Sequence, residues 1–249
     1  NINDYEFKVF SQWGEDRIID YLVTNLNIQN KTFIEFGVED YKEANTKFLL
    51  INRNWKGWII DSSQKNITDI KLQDFYWRHS LDAHCEFITA ENINHIFNSF
   101  NCEKKLGLLS IDIDGNDYWI WEKINVLDPS IVIIEYNARL GKEKPYVVPY
   151  EEKFTRNEKH YSMIYYGASI NALVKLGIKK GYAFVCCNKA GNNAFFVKKE
   201  LLNDRVKEQS IEKGFYRNKF REARDQNGNL TYSDEKKERD IIFKLPLIE

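Results

Sequence analysis

The chain has 249 residues, 43% of them hydrophobic, which suits one substantial core with an appendage rather than several domains. Its 36 Lys and Arg against 37 Asp and Glu leave a formal charge of −1, which argues against nucleic acid as the main partner. No run of about eighteen apolar residues offers a membrane span and no leader pattern opens the chain, so a soluble, cytoplasmic protein is expected.

Short β-rich apolar runs alternate with amphipathic stretches in chain order. Strands are predicted at Thr32–Gly37, Gly57–Asp61, His84–Thr89, Leu106–Ile113, Ile131–Tyr136, Tyr182–Asn188 and Ala194–Lys198. Helices are predicted at Glu15–Asn25, Thr46–Asn52, Ala90–Phe100, Trp119–Asn125 and Ser169–Lys180, where apolar residues recur every three or four positions. Such alternation predicts an α/β, Rossmann-like fold whose mostly parallel, seven-stranded sheet is covered on both faces. The last two strands are joined by Lys189-Ala-Gly-Asn-Asn193, too short for a helical crossover, so the sheet should end in an antiparallel hairpin. Residues 1–199 are expected to form the core domain. Residues 200–249, dense in mixed charge around Phe215, Tyr216 and Phe220, are expected to form a mainly helical C-terminal extension.

The cysteines Cys85, Cys102, Cys186 and Cys187 form no CxxC pair and lie near no His at zinc-finger spacing, so they read as reduced core thiols. The first residue is Asn1 rather than Met, consistent with part of a longer polypeptide, and a homodimer is compatible with the charged extension.

In Phe33-Ile-Glu35-Phe-Gly37-Val-Glu39-Asp40 a strand runs into an acidic residue and a glycine. Glycine there lets backbone approach a ligand that a Cβ would exclude. The usual second glycine is replaced by Glu39 and no GxGxxG follows, which favours a cofactor without a pyrophosphate over NAD or FAD. Asp61, about twenty residues beyond the glycine turn, stands where a carboxylate takes the ribose hydroxyls of an adenosine, with Ser62 beside it.

Asp112-Ile-Asp114-Gly-Asn-Asp117 follows an apolar run and so sits at the carboxyl end of a central strand. Alternation puts Asp112 and Asp114 on one side, about 6 to 7 Å apart. Ile131–Asn137 ends with another same-facing pair, so Asp114, Glu135 and Asn137 offer hard oxygen ligands to Mg²⁺ or Mn²⁺.

Several segments together resemble the FkbM-type methyltransferases. They are Ser11-Gln-Trp-Gly-Glu-Asp16, Phe33–Gly37, Asn45-Thr46, Trp55-Lys-Gly-Trp58, Ile111–Trp119, Ile133–Asn137, Tyr166-Gly-Ala-Ser169 and Asn188–Phe196. The likeness covers nearly everything from Ser11 to Val197. It implies a class I fold that binds S-adenosylmethionine and methylates hydroxyls of sugars or polyketides. By that resemblance Gln12 and Gly14 border the methionine end, and Glu35, Gly37, Asn45 and Thr46 the cofactor backbone. Asp61 and Ser62 then hold the ribose, Glu91 and Asn92 lie near the adenine, and Asp112 faces both cofactor and acceptor. The second acidic pair is similarly placed to the ligands of metal-dependent sugar and catechol O-methyltransferases.

Methyl transfer to a hydroxyl needs the acceptor oxygen held in line and stripped of its proton. Asp112 and Asp114 are the candidate catalytic carboxylates, and His160 a candidate base. A nucleotide-linked sugar destined for capsule or surface polysaccharide is the expected acceptor. Two other readings stand beside this one: an NAD-dependent sugar-nucleotide enzyme, disfavoured by the missing GxGxxG and Tyr-x-x-x-Lys, and a non-catalytic Rossmann-like interaction domain, disfavoured by the intact acidic cluster.

Overall fold

A computed structural model describes residue 2, residues 6–100 and residues 102–249. Along the chain run α1 (Glu15–Asn25), β1 (Thr32–Phe36), α2 (Lys47–Arg53), β2 (Lys56–Asp61), α3 (Gln64–Lys71), α4 (Asp74–Arg78) and β3 (Leu81–Cys85). Next come α5 (Ile93–Ser99), β4 (Leu108–Ile111), α6 (Asp117–Lys123) and β5 (Ile131–Glu135). The second half holds α7 (Arg156–Lys159), α8 (Ile170–Lys179), β6 (Tyr182–Cys187), β7 (Asn193–Lys198), α9 (Ile211–Gly214) and α10 (Glu235–Ile242).

The seven strands form one sheet in the order β3-β2-β1-β4-β5-β7-β6. Pairing is parallel from β3 through β5, and β7 lies antiparallel between β5 and β6. The inner strands read as near-continuous apolar runs because helices cover both faces. On one face Ile34, Ile60, Leu109, Ile134 and Phe196 pack with Ile93, Phe97, Trp121 and Leu173 of α5, α6 and α8. On the other, Phe33, Ile59, Leu108, Ile133 and Phe195 pack with Ile18, Leu22, Leu50 and Ile67 of α1, α2 and α3. Burying these side chains is the main stabilising contribution, about 1.5–3 kcal/mol for each large aliphatic or aromatic residue.

Two elements differ from the sequence expectation. The third strand begins at Leu81, not His84, so Glu86, Phe87 and Ile88 fall beyond its end and become the strand tip. Only α9, α10 and a single turn at Lys199–Leu201 are helical in residues 200–249. The mixed charges there supply helix formers without an apolar stripe, and the Asp225–Asn229 turn, closed by backbone amides on the Asp225 side chain, interrupts them. The segment instead lends Ala223 and Ile242 to a third cluster with Leu140, Val148, Phe154, Ile164 and Tyr166. No helix among the described residues is long and apolar enough to cross a membrane.

Strand order reverses between β1 and β4, the place where open α/β sheets bind ligands beyond their carboxyl ends.

Candidate active site

A cavity of about 590 Å³ opens at that point, bordered by the tips of β1, β2, β4, β5 and β7. Its floor is set by Gly37, whose φ of +76° brings it against β4: a Cβ there would lie 1.4 Å from the carbonyl oxygen of Asp112. Glu35, two residues back on β1, is buried and faces the cavity. Its carboxylate accepts the amide of Asn45 at 2.8 Å, the amide of Thr46 at 3.0 Å and the Thr46 hydroxyl at 2.5 Å, which fixes the loop before α2. Burial raises its affinity for a proton, and those hydrogen bonds, led by the Thr46 hydroxyl, oppose the shift.

Asp61 ends β2 at the cavity edge. Its Oδ2 accepts the Glu39 amide at 2.9 Å, and its Oδ1 accepts the Ser63 amide at 2.8 Å and the Asn66 side-chain amide at 3.1 Å. A carboxylate offers about four acceptor positions, so capping the turn takes three and leaves one. Glu39 stands where a second glycine was expected and adopts a left-handed φ of +47°.

On the other side of the cavity, Asp112, Asp114 and Glu135 place one carboxylate oxygen each within 4.8 Å of one another. Asp117, at the start of α6, accepts the amides of Ile113 at 2.8 Å and Gly115 at 2.9 Å and so holds the loop that carries Asp112 and Asp114. Burial pushes its carboxyl up to about 6 against those bonds. Asp112 is pushed well above the ordinary carboxylate range by loss of water, then by the charges of Asp114 and Asp117. Glu135 is raised well above it too, by burial and then by Asp112 and Asp114. Its Oε2 is fully enclosed and has no hydrogen-bond partner, and the Oδ1 of Asn193, its opposite number on β7, is in the same condition.

Arg156 is the counter-charge. It donates to Asp114 Oδ1 at 2.8 Å and to the Met163 carbonyl at 2.6 Å, pairs with Glu222, and lies 3.8 Å from the centroid of the Tyr166 ring. Glu222 in turn accepts from the buried Arg139 at 2.7 Å, and Arg139 donates to Glu238 at 2.9 Å. This chain of ion pairs brings the extension to the cavity, where Phe220, Arg221 and Glu222 form a wall. Phe220 stacks on Trp13 from the opposite rim, centroids 5.3 Å apart and planes 15° apart. The Trp13 loop is anchored by Asp16, whose Oδ2 accepts the amides of Val9, Phe10 and Ser11 and the Ser11 hydroxyl.

Of the residues singled out in the sequence, Gln12, Glu35, Gly37, Asn45, Asp61, Ser62, Asp112, Asp114 and Glu135 line the cavity. Six others do not. Gly14 forms the left-handed turn before α1, and Thr46 spends its hydroxyl on Glu35. Glu91 accepts from Tyr150 and Asn92, at the start of α5, accepts the Thr89 amide on its side-chain oxygen, because β3 ends earlier than expected and Glu86 takes the tip. Asn137 is fully buried, its amide nitrogen donating to the carbonyls of Ile164 and Tyr166 and its oxygen accepting the Arg139 amide. Strand alternation stops at Glu135, so the oxygen set completed here is Asp112, Asp114 and Glu135 rather than Asp114, Glu135 and Asn137. His160 turns to the Ser162 hydroxyl at 2.6 Å and packs on Tyr161 outside the cavity. Arg156 and Glu222 escaped the sequence because nothing local in a polar loop or a charged tail marks a residue that reaches the site through tertiary packing.

The strand order, with one antiparallel strand beside the edge, is that of the class I methyltransferases. No protein-family model matches the chain, nor does any curated protein sequence. Solved structures similar to it include an S-adenosylmethionine-dependent methyltransferase from Clostridium acetobutylicum, 11% identical with a TM-score of 0.42 over 75% of this chain and 92% of that one. Another is the carbon methyltransferase CurJ, 10% identical with a TM-score of 0.47 over 74% of this chain and about half, 52%, of that one. A third is an O-methyltransferase from Bacillus cereus in complex with S-adenosylhomocysteine, 11% identical with a TM-score of 0.42 over 71% and 76%.

Proposed function

We propose that this protein is an S-adenosylmethionine-dependent O-methyltransferase acting on a sugar hydroxyl. The observation that carries the reading is the charge of the cavity. Among the described residues it is lined by nine carboxylates, of Glu35, Glu39, Glu43, Asp61, Glu86, Asp112, Asp114, Glu135 and Glu222, against the guanidinium groups of Arg156 and Arg221. A dinucleotide would bring two pyrophosphate charges into that field, with no glycine-rich run of amides to receive them. S-adenosylmethionine carries a net positive charge, and its adenosine suits a carboxylate at the β2 tip.

The sulfonium supplies an activated methyl group; the chain's own residues must orient the acceptor and move its proton. Asp112, whose proton affinity is raised by burial and then by its acidic neighbours, is the group suited to take the hydroxyl proton. Arg156 holds Asp114 in place beside it. The Trp13–Phe220 pair screens this end of the cavity from water.

The hard-oxygen set Asp112, Asp114 and Glu135 also fits a divalent ion such as Mg²⁺ or Mn²⁺, and the unpartnered Glu135 oxygen supports that fit. Such an ion would lower the hydroxyl's pKa. For the acceptor, Arg221 lines the cavity, lies over the Tyr232 ring and is in no ion pair among the described residues, which supports an acceptor that brings phosphate charge, such as a nucleotide-linked sugar.

Calorimetric titration of the purified protein with S-adenosylhomocysteine and with NAD tests the cofactor assignment. Binding of the former alone is expected; binding of NAD alone would overturn it.

A further inference from the structure

Glu39, the residue at the usual second-glycine position, lines the acidic cavity. Glu39 takes a left-handed φ of +47°, a conformation that costs a residue with a Cβ roughly 1–2 kcal/mol relative to glycine, and its amide is tied to Asp61. Its carboxylate lines the cavity and is in no salt bridge among the described residues. Its surroundings are acidic: loss of water, then the charges of Asp114, Asp40, Asp61 and Glu43, all raise its proton affinity. Asp114 likewise bears on Glu135, 7% exposed, which lines the same cavity and whose enclosed Oε2 is unpartnered. Asp114, Asp40 and Glu43 each have a cation of their own, in Arg156, Lys42 and Lys8, whereas Glu39 has none among the described residues, so a positive charge for it has to arrive with the ligand.

We propose that Glu39 reads the sulfonium charge of the methyl donor, so that the cavity binds S-adenosylmethionine in preference to its neutral thioether product. This rests on the methyltransferase reading and deepens it. Glu39 is tied through its amide to Asp61, assigned to the ribose, and lines the same cavity as Asp114, assigned to the acceptor, which puts it on the path between them where the sulfonium would lie. Transfer turns a sulfonium into a thioether and removes the attraction, which favours release of the product.

Three ligands separate charge from shape: S-adenosylmethionine, S-adenosylhomocysteine, and sinefungin, which carries an ammonium in place of the sulfonium. Calorimetry on the wild type, Glu39→Gln and Glu39→Gly is the test. Wild type is expected to bind the two charged ligands more tightly than the thioether. Glu39→Gln should weaken the charged ligands about five- to tenfold while leaving the thioether within about twofold, the scale of one screened charge pair. Glu39→Gly should keep the fold, because glycine adopts this φ freely, and show the same selective loss. Equal weakening of all three ligands, or no change in any, would overturn the inference and leave the methyltransferase reading standing. Failure of the wild type to bind any of them would overturn both.

Discussion

Gly37 and Asp112 meet backbone to backbone, so closely that a single methyl group on Gly37 would fall 1.4 Å from the Asp112 carbonyl oxygen. The tips of β1 and β4 are thus fitted to each other, and the cofactor side and the acidic side of the cavity share one hinge of main chain. Gly37→Ala adds the cost of a left-handed alanine to that of a backbone clash, together about 3 kcal/mol or more. Urea unfolding should show the loss, and S-adenosylhomocysteine binding should vanish even where the variant remains folded.

Asp61 combines a turn cap with one acceptor position left over at the cavity edge. Asp61→Asn is expected to weaken S-adenosylhomocysteine about 10- to 100-fold, the worth of a hydrogen bond to a charged group. The companion Asn66→Ala, which touches only the cap, should lower the melting temperature and leave affinity within about threefold. Equal affinities for the two variants would assign Asp61 to the turn alone.

Stability should fall as pH rises. Asp112, Asp117 and Glu135 hold protons more tightly in the folded chain than when exposed, so the folded state binds more protons and their contribution is complete only at low pH. For Asp117 the loss runs from its ordinary 3.8 up to about 6, and for the other two it continues higher. Millimolar MnCl₂ should restore stability at about pH 8 and do little at about pH 5, where protons occupy the ligand oxygens. Melting curves across pH check both statements, and Glu135→Gln should flatten the pH dependence and abolish the response to the ion.

Arg139 links the core to the extension through Glu222 and Glu238. Arg139→Met leaves Glu238 without its cation and Glu222 with Arg156 alone at a largely buried site, at a cost of about 3 kcal/mol. Trypsin should then cut within residues 215–249 before the core, and affinity for the methyl donor should fall with the loss of the Phe220–Glu222 wall. An unchanged digestion pattern would show that the extension is held by its apolar contacts alone.

The sheet was legible wherever burial on both faces writes an apolar run, unbroken in Ile131–Ile134 and interrupted only by Glu35 in Phe33–Phe36. β3 was not, because Leu81-Asp-Ala-His-Cys85 lies at the sheet edge and alternates polar with apolar residues. The site was legible where a side chain's position follows from its strand: Glu35, Asp61, Asp112 and Glu135 sit at or beside strand tips. It failed one step past a strand end, at Asn137, where the period of two no longer applies. Arg156, Glu222 and Phe220 reach the cavity only through the third apolar cluster and its ion pairs, which no local pattern encodes.

A crystal structure with S-adenosylhomocysteine and Mn²⁺, the ion located by its anomalous signal, decides whether the methyl donor and a metal share this cavity. Ribose hydroxyls are expected on Asp61, the sulfur facing the space between Glu39 and Asp114, and manganese among Asp112, Asp114 and Glu135. A ligand seated away from the β1 and β2 tips would contradict this placement.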